Sequence, residues 1–158
     1  MAKTIERSIE IDSSPERVWA VLTDFPAHPE WNPFIRHISG DVAVGARLRV
    51  HIAPKGGRGM KFNPVVTASN APHEFSWLGR LGVRGLFDGA HSFVLRDLGD
   101  GRTSVTQSET FSGLLVPLFG SGLEGTAAGF DEMNRALKRR CETIRDAGRS
   151  EDPSSKGK

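Results

Sequence analysis

Three polar residues, His91, Gln107 and Glu109, share the side-chain parity of the apolar residues in two neighbouring strand-like segments. In 87–98, His91, Phe93 and Leu95 point one way, and Ser92, Val94 and Arg96 the other. In 102–112, Val105, Gln107, Glu109 and Phe111 lie opposite Ser104, Thr106, Ser108 and Thr110. The apolar members mark the inward face of each segment. Gly99-Asp100-Gly101 between them is a hairpin signal. With Gly99 and Gly101 flanking the turn centre, His91 lies opposite Glu109 and Phe93 opposite Gln107. A slip of one residue would turn one strand's inward set outward. A His–Glu pair facing an apolar space can do acid/base work, since each group tunes the other's proton affinity. It can equally orient a ligand hydroxyl or carbonyl, or simply satisfy itself and water within the sheet. Each reading requires a partner, because an unmatched buried polar group is costly.

Around this pair the inward positions are mostly aromatic. Phe62, Val66, Phe75, Trp77, Phe93, Phe111, Phe130 and Met133 face inward by strand parity or helical spacing. If they surround a void, it suits a hydrocarbon, terpenoid, polyketide or fatty ligand. If they interdigitate, they are an ordinary filled core. Asn134, beside Met133, places an amide at the roof of such a cavity or in a solvated contact. The chain has nine Phe, three Trp and no Tyr. If these rings line a cavity, its polar duties fall on His91, Gln107, Glu109 and Asn134. Trp31 reads as a residue at the cavity mouth or as a packing anchor, and the apolar run Leu114–Phe119 as a mobile lip at that mouth, a weak membrane-contact patch or a buried lead-in to the helix.

The elements that must position these residues follow from periodicity and punctuation. Ile5, Ile9 and Ile11 alternate in a first strand over 4–12, broken in pattern by Arg7. Ser14-Pro15-Glu16 opens a short helix to Asp24. Three prolines in 26–33 leave room for no more than a turn or a one-turn helix. Six further strands are expected at 34–40, 46–53, 60–70, 73–80, 87–98 and 102–112, with Pro64 marking an edge, bulge or break. Leu48, Val50 and Ile52 alternate with Arg47, Arg49 and His51, as in a strand with one wet face. Ser121-x-x-Glu124 offers a capping box for a long helix. Its apolar stripe runs through Phe130, Met133, Leu137, Cys141 and Ile144, and Gly148 supplies a stop. The expected architecture is α+β: a curved seven-stranded antiparallel sheet around one long C-terminal helix, with two short helices after the first strand. One ligand-binding domain is expected over 1–148 and a polar disordered tail over 149–158.

Several classes of function are set aside. The 158 residues suit one domain, and the net charge of +2 makes no nucleic-acid surface by itself. No window approaches 18 apolar residues, and the opening MAKTIERSIEID lacks the apolar core of a secretory signal. Cys141 stands alone, which excludes an intramolecular disulfide and fits a cytoplasmic setting. It reads as a small apolar helix residue. The five histidines lack metal-ligand spacing, and neither metal nor cofactor is expected. Gly120-x-Gly122-x-x-Gly125 matches a dinucleotide fingerprint, but too little chain follows for a βαβ unit. Lys138-Arg139-Arg140 reads as a wet helix face.

The segments IEIDSSPERVWAVLTDFPAHPEWNPF, LFDGAHSFVLRDLGDGRTSVTQSETFSG and GFDEMNRALKRRCE, in this order of elements, resemble the START-like helix-grip superfamily. It is also called Bet v 1-like, SRPBCC, or polyketide cyclase/dehydrase and lipid transport. The resemblance spans about residues 4–146. It implies a cavity between sheet and helix holding an apolar small molecule. It is compatible with simple binding, with a cofactor-independent cyclase or dehydratase using His91 and Glu109, or with a co-chaperone-like interaction module. The small-molecule reading makes Phe62, Val66, Trp77, His91, Phe93, Gln107, Glu109, Phe111, Phe130, Met133 and Asn134 the expected ligand contacts. Neither nucleic acid nor stable membrane insertion is expected.

Overall fold

The computed structural model describes residues 2–54 and 56–149, with the backbone alone for 121 and 144–149. Residues 150–158, most of the expected tail, lie outside the described residues, as does the Ile144 side chain. The first strand, β1 (Ala2–Ile11), leads into α1 (Pro15–Thr23). The Arg17 N–H donates to the Ser14 side chain at 3.3 Å, which caps the helix as its Ser-Pro-Glu start requires. A 3-10 turn at 25–27 and the single-turn α2 (His28–Trp31) follow, as the prolines allow.

His28 and Asn32 tie this corner together. The His28 Nε2–H donates to the Leu22 carbonyl at 2.7 Å, and the Asn32 amide lies 3.2 Å from the other ring nitrogen. Asn32 Oδ1 accepts from the backbone N–H groups of Phe34 and Ile35. All of this is buried, so the network fixes where the chain enters its second strand.

Among the described residues there are eight strands rather than the seven expected, and they form two sheets. β2 (Ile35–Ser39), β3 (Arg49–Ile52) and β4 (Met60–Phe62) make one. β5 (Val65–Asn70), β6 (Glu74–Arg80), β7 (Asp88–Gly99) and β8 (Arg102–Ser112) join β1 in the other, in the order β1-β8-β7-β6-β5. The extra strand arises at Asn63-Pro64, where a residue without an N–H splits the expected 60–70 strand. The sheets stay joined there, since Leu48 and Val66 donate backbone bonds to Pro64 and Ala46. All pairings are antiparallel.

The β7–β8 hairpin has the expected partners, His91 opposite Glu109 and Phe93 opposite Gln107. Its turn differs. Gly99 faces Arg102, and the two central residues, Asp100 and Gly101, both have positive φ. An irregularity between Asp97 and Gly99 restores the register that a turn centred on Asp100 would have produced.

A 3-10 turn (Val116–Phe119) runs directly into α3 (Gly120–Arg149). The helix therefore starts before Ser121, which lies within it rather than capping it. It also passes through Gly148, so that glycine is not a stop. Phe130, Met133, Leu137 and Cys141 are fully buried, as their spacing dictates. Arg7, which interrupts the pattern of β1, pairs with Asp131 of α3 at 3.2 Å. The breadth of the stripe and its match to the sheet's inner residues place the core between sheet and helix.

Candidate functional site

On the inner face of β6, β7 and β8, the register lines up side chains in three cross-strand rows. The first is Phe75–Phe93–Gln107, the second Trp77–His91–Glu109, and the third Gly79–Gly89–Phe111. The first row is closed over. Phe75, Phe93 and Gln107 are fully buried, beneath a layer that includes Phe130 and Met133. The third row has almost no side chain on two of its three strands. Above it lies a cavity of about 670 Å³. Phe62, Phe87, Phe111 and Phe119 form much of its wall, and Gly122, Leu123, Gly125 and Thr126 of α3 form its roof.

The second row stands at the boundary. His91 is 3% exposed and stacks on Trp77, with centroids 4.6 Å apart and planes 11° from parallel. The Phe130 ring meets it edge-on at 5.2 Å. His91 Nδ1 lies 3.3 Å from Glu109 Oε2, and Gln107 Nε2 lies 3.2 Å from His91 Nε2. The Gln107 amide also donates to the Met133 sulfur at 3.3 Å. In this arrangement Gln107 donates to Nε2, so the ring proton sits on Nδ1 and points at the Glu109 carboxylate. Glu109 lines the cavity, with its side chain 16% exposed. Gly89 makes room for it. A Cβ there would stand 2.7 Å from Glu109 Oε1.

Of the eleven expected ligand contacts, the structure brings Phe62, Trp77, His91, Glu109 and Phe111 to the cavity wall. Val66, Phe93, Gln107, Phe130, Met133 and Asn134 are instead buried in the closed core. Parity correctly turned them inward, but inward has two destinations here, and helix side chains fill this one. Gln107 still acts at one remove, through His91. Asn134 donates to the Arg7 carbonyl of β1 at 3.4 Å rather than capping the cavity. Trp31 is not at the mouth either. It packs on His28 at 4.9 Å and lines a separate groove with Arg17 and Arg140. Of the Leu114–Phe119 run, Phe119 reaches the cavity and Val116 is buried, while Leu114 and Leu118 are about four-fifths exposed.

Sequence reasoning missed the residues that make the space: Gly79 and Gly89 in the floor, Gly122 and Gly125 in the roof. A glycine inside a strand is a known signal for a close approach or an unfilled site. The roof glycines belong to the rejected dinucleotide pattern, and their small size serves the cavity instead. Phe87, ring to ring with Phe111 at 5.5 Å and Phe119 at 4.7 Å, was also not singled out.

Among the described residues, no group of three or more His, Cys, Asp or Glu is placed to hold a metal ion, and no helix is long and apolar enough to cross a membrane. The Cys141 thiol is buried and pushed up to about 12 by loss of solvation, so it offers no nucleophile.

Solved structures share this architecture. A START superfamily protein from Mycobacterium smegmatis is 20% identical, with a TM-score of 0.69 over 89% of this chain and 98% of its own. The Zhui aromatase/cyclase from Streptomyces sp. R1128 is 13% identical, with a TM-score of 0.70 over 90% and 94%. A norcoclaurine synthase point mutant from Thalictrum flavum, in complex with a transition-state analogue, is 15% identical, with a TM-score of 0.69 over 92% and 97%. These likenesses show the helix-grip fold. No curated protein matches the sequence. The model of the family described as polyketide cyclase / dehydrase and lipid transport matches residues 2–142, and the chain belongs to that family.

Proposed function

We propose that the protein binds a small hydrophobic molecule, of lipid, polyketide or aromatic type, in the cavity between sheet and helix. The observation that carries this reading is a mostly apolar space of about 670 Å³ with the hydrogen-bonded pair His91 and Glu109 in its wall. Affinity would come from burying the apolar body, and orientation from the polar end. Phe62, Trp77 and Phe111 are the contacts beside that pair; Gln107 holds His91, and Val66, Phe93, Phe130, Met133 and Asn134 support the wall from behind. Residues 1–148 form the binding unit in this reading. The lone buried cysteine suits a cytoplasmic protein, and no nucleic-acid partner is part of the proposal. Native mass spectrometry of the purified protein tests it. A co-purifying small molecule, lost on denaturation, is expected. A protein that carries none and takes up no apolar probe in titration would overturn it.

The 3.3 Å contact between His91 and Glu109 favours one second reading, a cyclase or dehydratase with these two as its acid/base pair. Aromatase/cyclases occur among the similar folds. Turnover would then fall far more than ligand affinity when either residue is replaced, whereas equal losses would point to binding alone. The co-chaperone reading calls for an exposed apolar groove without an enclosing pocket, and the roofed cavity speaks against it.

A further inference from the structure

Resting on the binding reading above, we infer the chemical class of the polar end: the cavity selects a neutral ligand that leads with a hydrogen-bond donor, a hydroxyl or phenol, and disfavours acceptor-only and anionic ends. Hydrogen bonds along the buried row all point one way. The Gln107 amide donates to His91, and the His91 Nδ1–H is directed at Glu109 Oε2. Donation therefore runs toward the cavity and stops at a carboxylate. Glu109 Oε1 has no hydrogen-bond partner among the described residues and lies over Gly89, facing the space above the glycine floor. Neither His91 nor Gln107 offers a competing donor there. His91 is 3% exposed, its Nδ1–H is engaged, and Gln107 lies behind it in the core.

The rest of the lining does not reverse this. The Thr126 hydroxyl donates to the Gly122 carbonyl within its own helix. Arg58, on the loop before β4, and Arg80, which closes β6 3.8 Å from Asp88, line the same cavity but make no ion pair with Glu109 among the described residues. Glu124 adds a second carboxylate on the roof. A ligand acceptor brought to Glu109 would leave two acceptors facing each other in an apolar space, and a ligand carboxylate would add like-charge repulsion. A donor completes the carboxylate's bonding. A site built to bond a hydroxyl discriminates strongly against an analogue without one. The Phe62 ring lies over Gly79 and the Glu109 carboxylate over Gly89, so a flat aromatic surface adjoins the acceptor, which suits a planar ring system beside the Trp77–His91 stack.

Four probes of like shape test this: naphthalene, 2-naphthol, 2-methoxynaphthalene and 2-naphthoate, titrated calorimetrically into the full chain. The expected result is that 2-naphthol binds about tenfold or more tightly than 2-methoxynaphthalene, with 2-naphthoate weakest. Glu109→Leu should abolish that preference and leave 2-methoxynaphthalene within about twofold. Gly89→Ala, which crowds Oε1 without removing the carboxylate, should reduce the preference in the same direction. Equal binding of 2-naphthol and 2-methoxynaphthalene, or tightest binding of 2-naphthoate, would overturn the donor rule while leaving the cavity reading intact. Failure of all four probes to bind would overturn both.

Discussion

Along α3, residues 120–129 include glycines at 120, 122, 125 and 129, whereas 130–141 present Phe130, Met133, Leu137 and Cys141 to the sheet. The sheet beneath is divided in the same place. Under the large side chains lies the row Phe75–Phe93–Gln107, and under the small ones lies Gly79–Gly89–Phe111. One end is filled by buried side chains, and the other is hollow. The contrast shows that a cavity in this fold requires small residues on two facing elements at once. A glycine pair in the sheet alone would be filled by a leucine from the helix. Trp77, His91 and Glu109 stand at the seam, which gives the polar pair one dry side and one side open to a ligand.

The largest difference between the halves should appear in stability. Phe130→Ala removes a fully buried ring that meets both Phe34 and His91, and should cost about 3–5 kcal/mol in denaturant unfolding. Phe119→Ala, at the hollow end and 38% exposed, should cost less than about 1 kcal/mol by the same measurement. Similar losses at both sites would break the comparison.

A smaller but more specific effect is expected in the floor. Gly79 has no left-handed backbone requirement, and a Cβ there would come within 3.2 Å of the Phe62 ring. Gly79→Val should therefore intrude on the cavity, weakening binding of 2-naphthol about tenfold, roughly 1.4 kcal/mol, while the unfolding midpoint changes little. Unchanged affinity would mean that the ligand does not lie over the floor.

The smallest effect sharpens the closed side. Burial holds the His28 pKa below its usual 6.5, against the opposing pull of the Leu22 carbonyl and Asp24. The unfolded chain therefore takes up this proton first as pH falls. Stability is fully present above about pH 6.5, declines as pH drops toward the folded-state value, and levels off below it. Unfolding midpoints followed from about pH 7.5 to about pH 5 should show this fall, and His28→Gln should flatten it. A slope unaltered by the substitution would assign the pH dependence to another group.

Much of the hairpin at the centre of the site was legible from alternation and its Gly-Asp-Gly turn. His91 faces Glu109 as expected, although the turn reaches that register through an irregularity near Leu98. The first helix and the prolines after it were equally readable, because capping and the missing proline N–H act within a few residues. The start of α3 was not, since the apolar 3-10 turn Val116–Phe119 runs directly into the helix at Gly120, one residue before Ser121. Six of the eleven expected contacts went to the core for a related reason. Parity reports which face a residue occupies, and says nothing of how far along that face the opposing helix presses.

By itself, then, the sequence determined the α+β order of elements and the antiparallel register of β7 and β8. Each follows from interactions between residues close in the chain or paired across one turn. The tertiary structure alone decided which inward residues meet a void. That depends on where Gly122 and Gly125 of α3 come to rest over Gly79 and Gly89, which are more than thirty residues away in the chain. No local periodicity encodes that meeting, because the space is made by atoms that are missing from both partners.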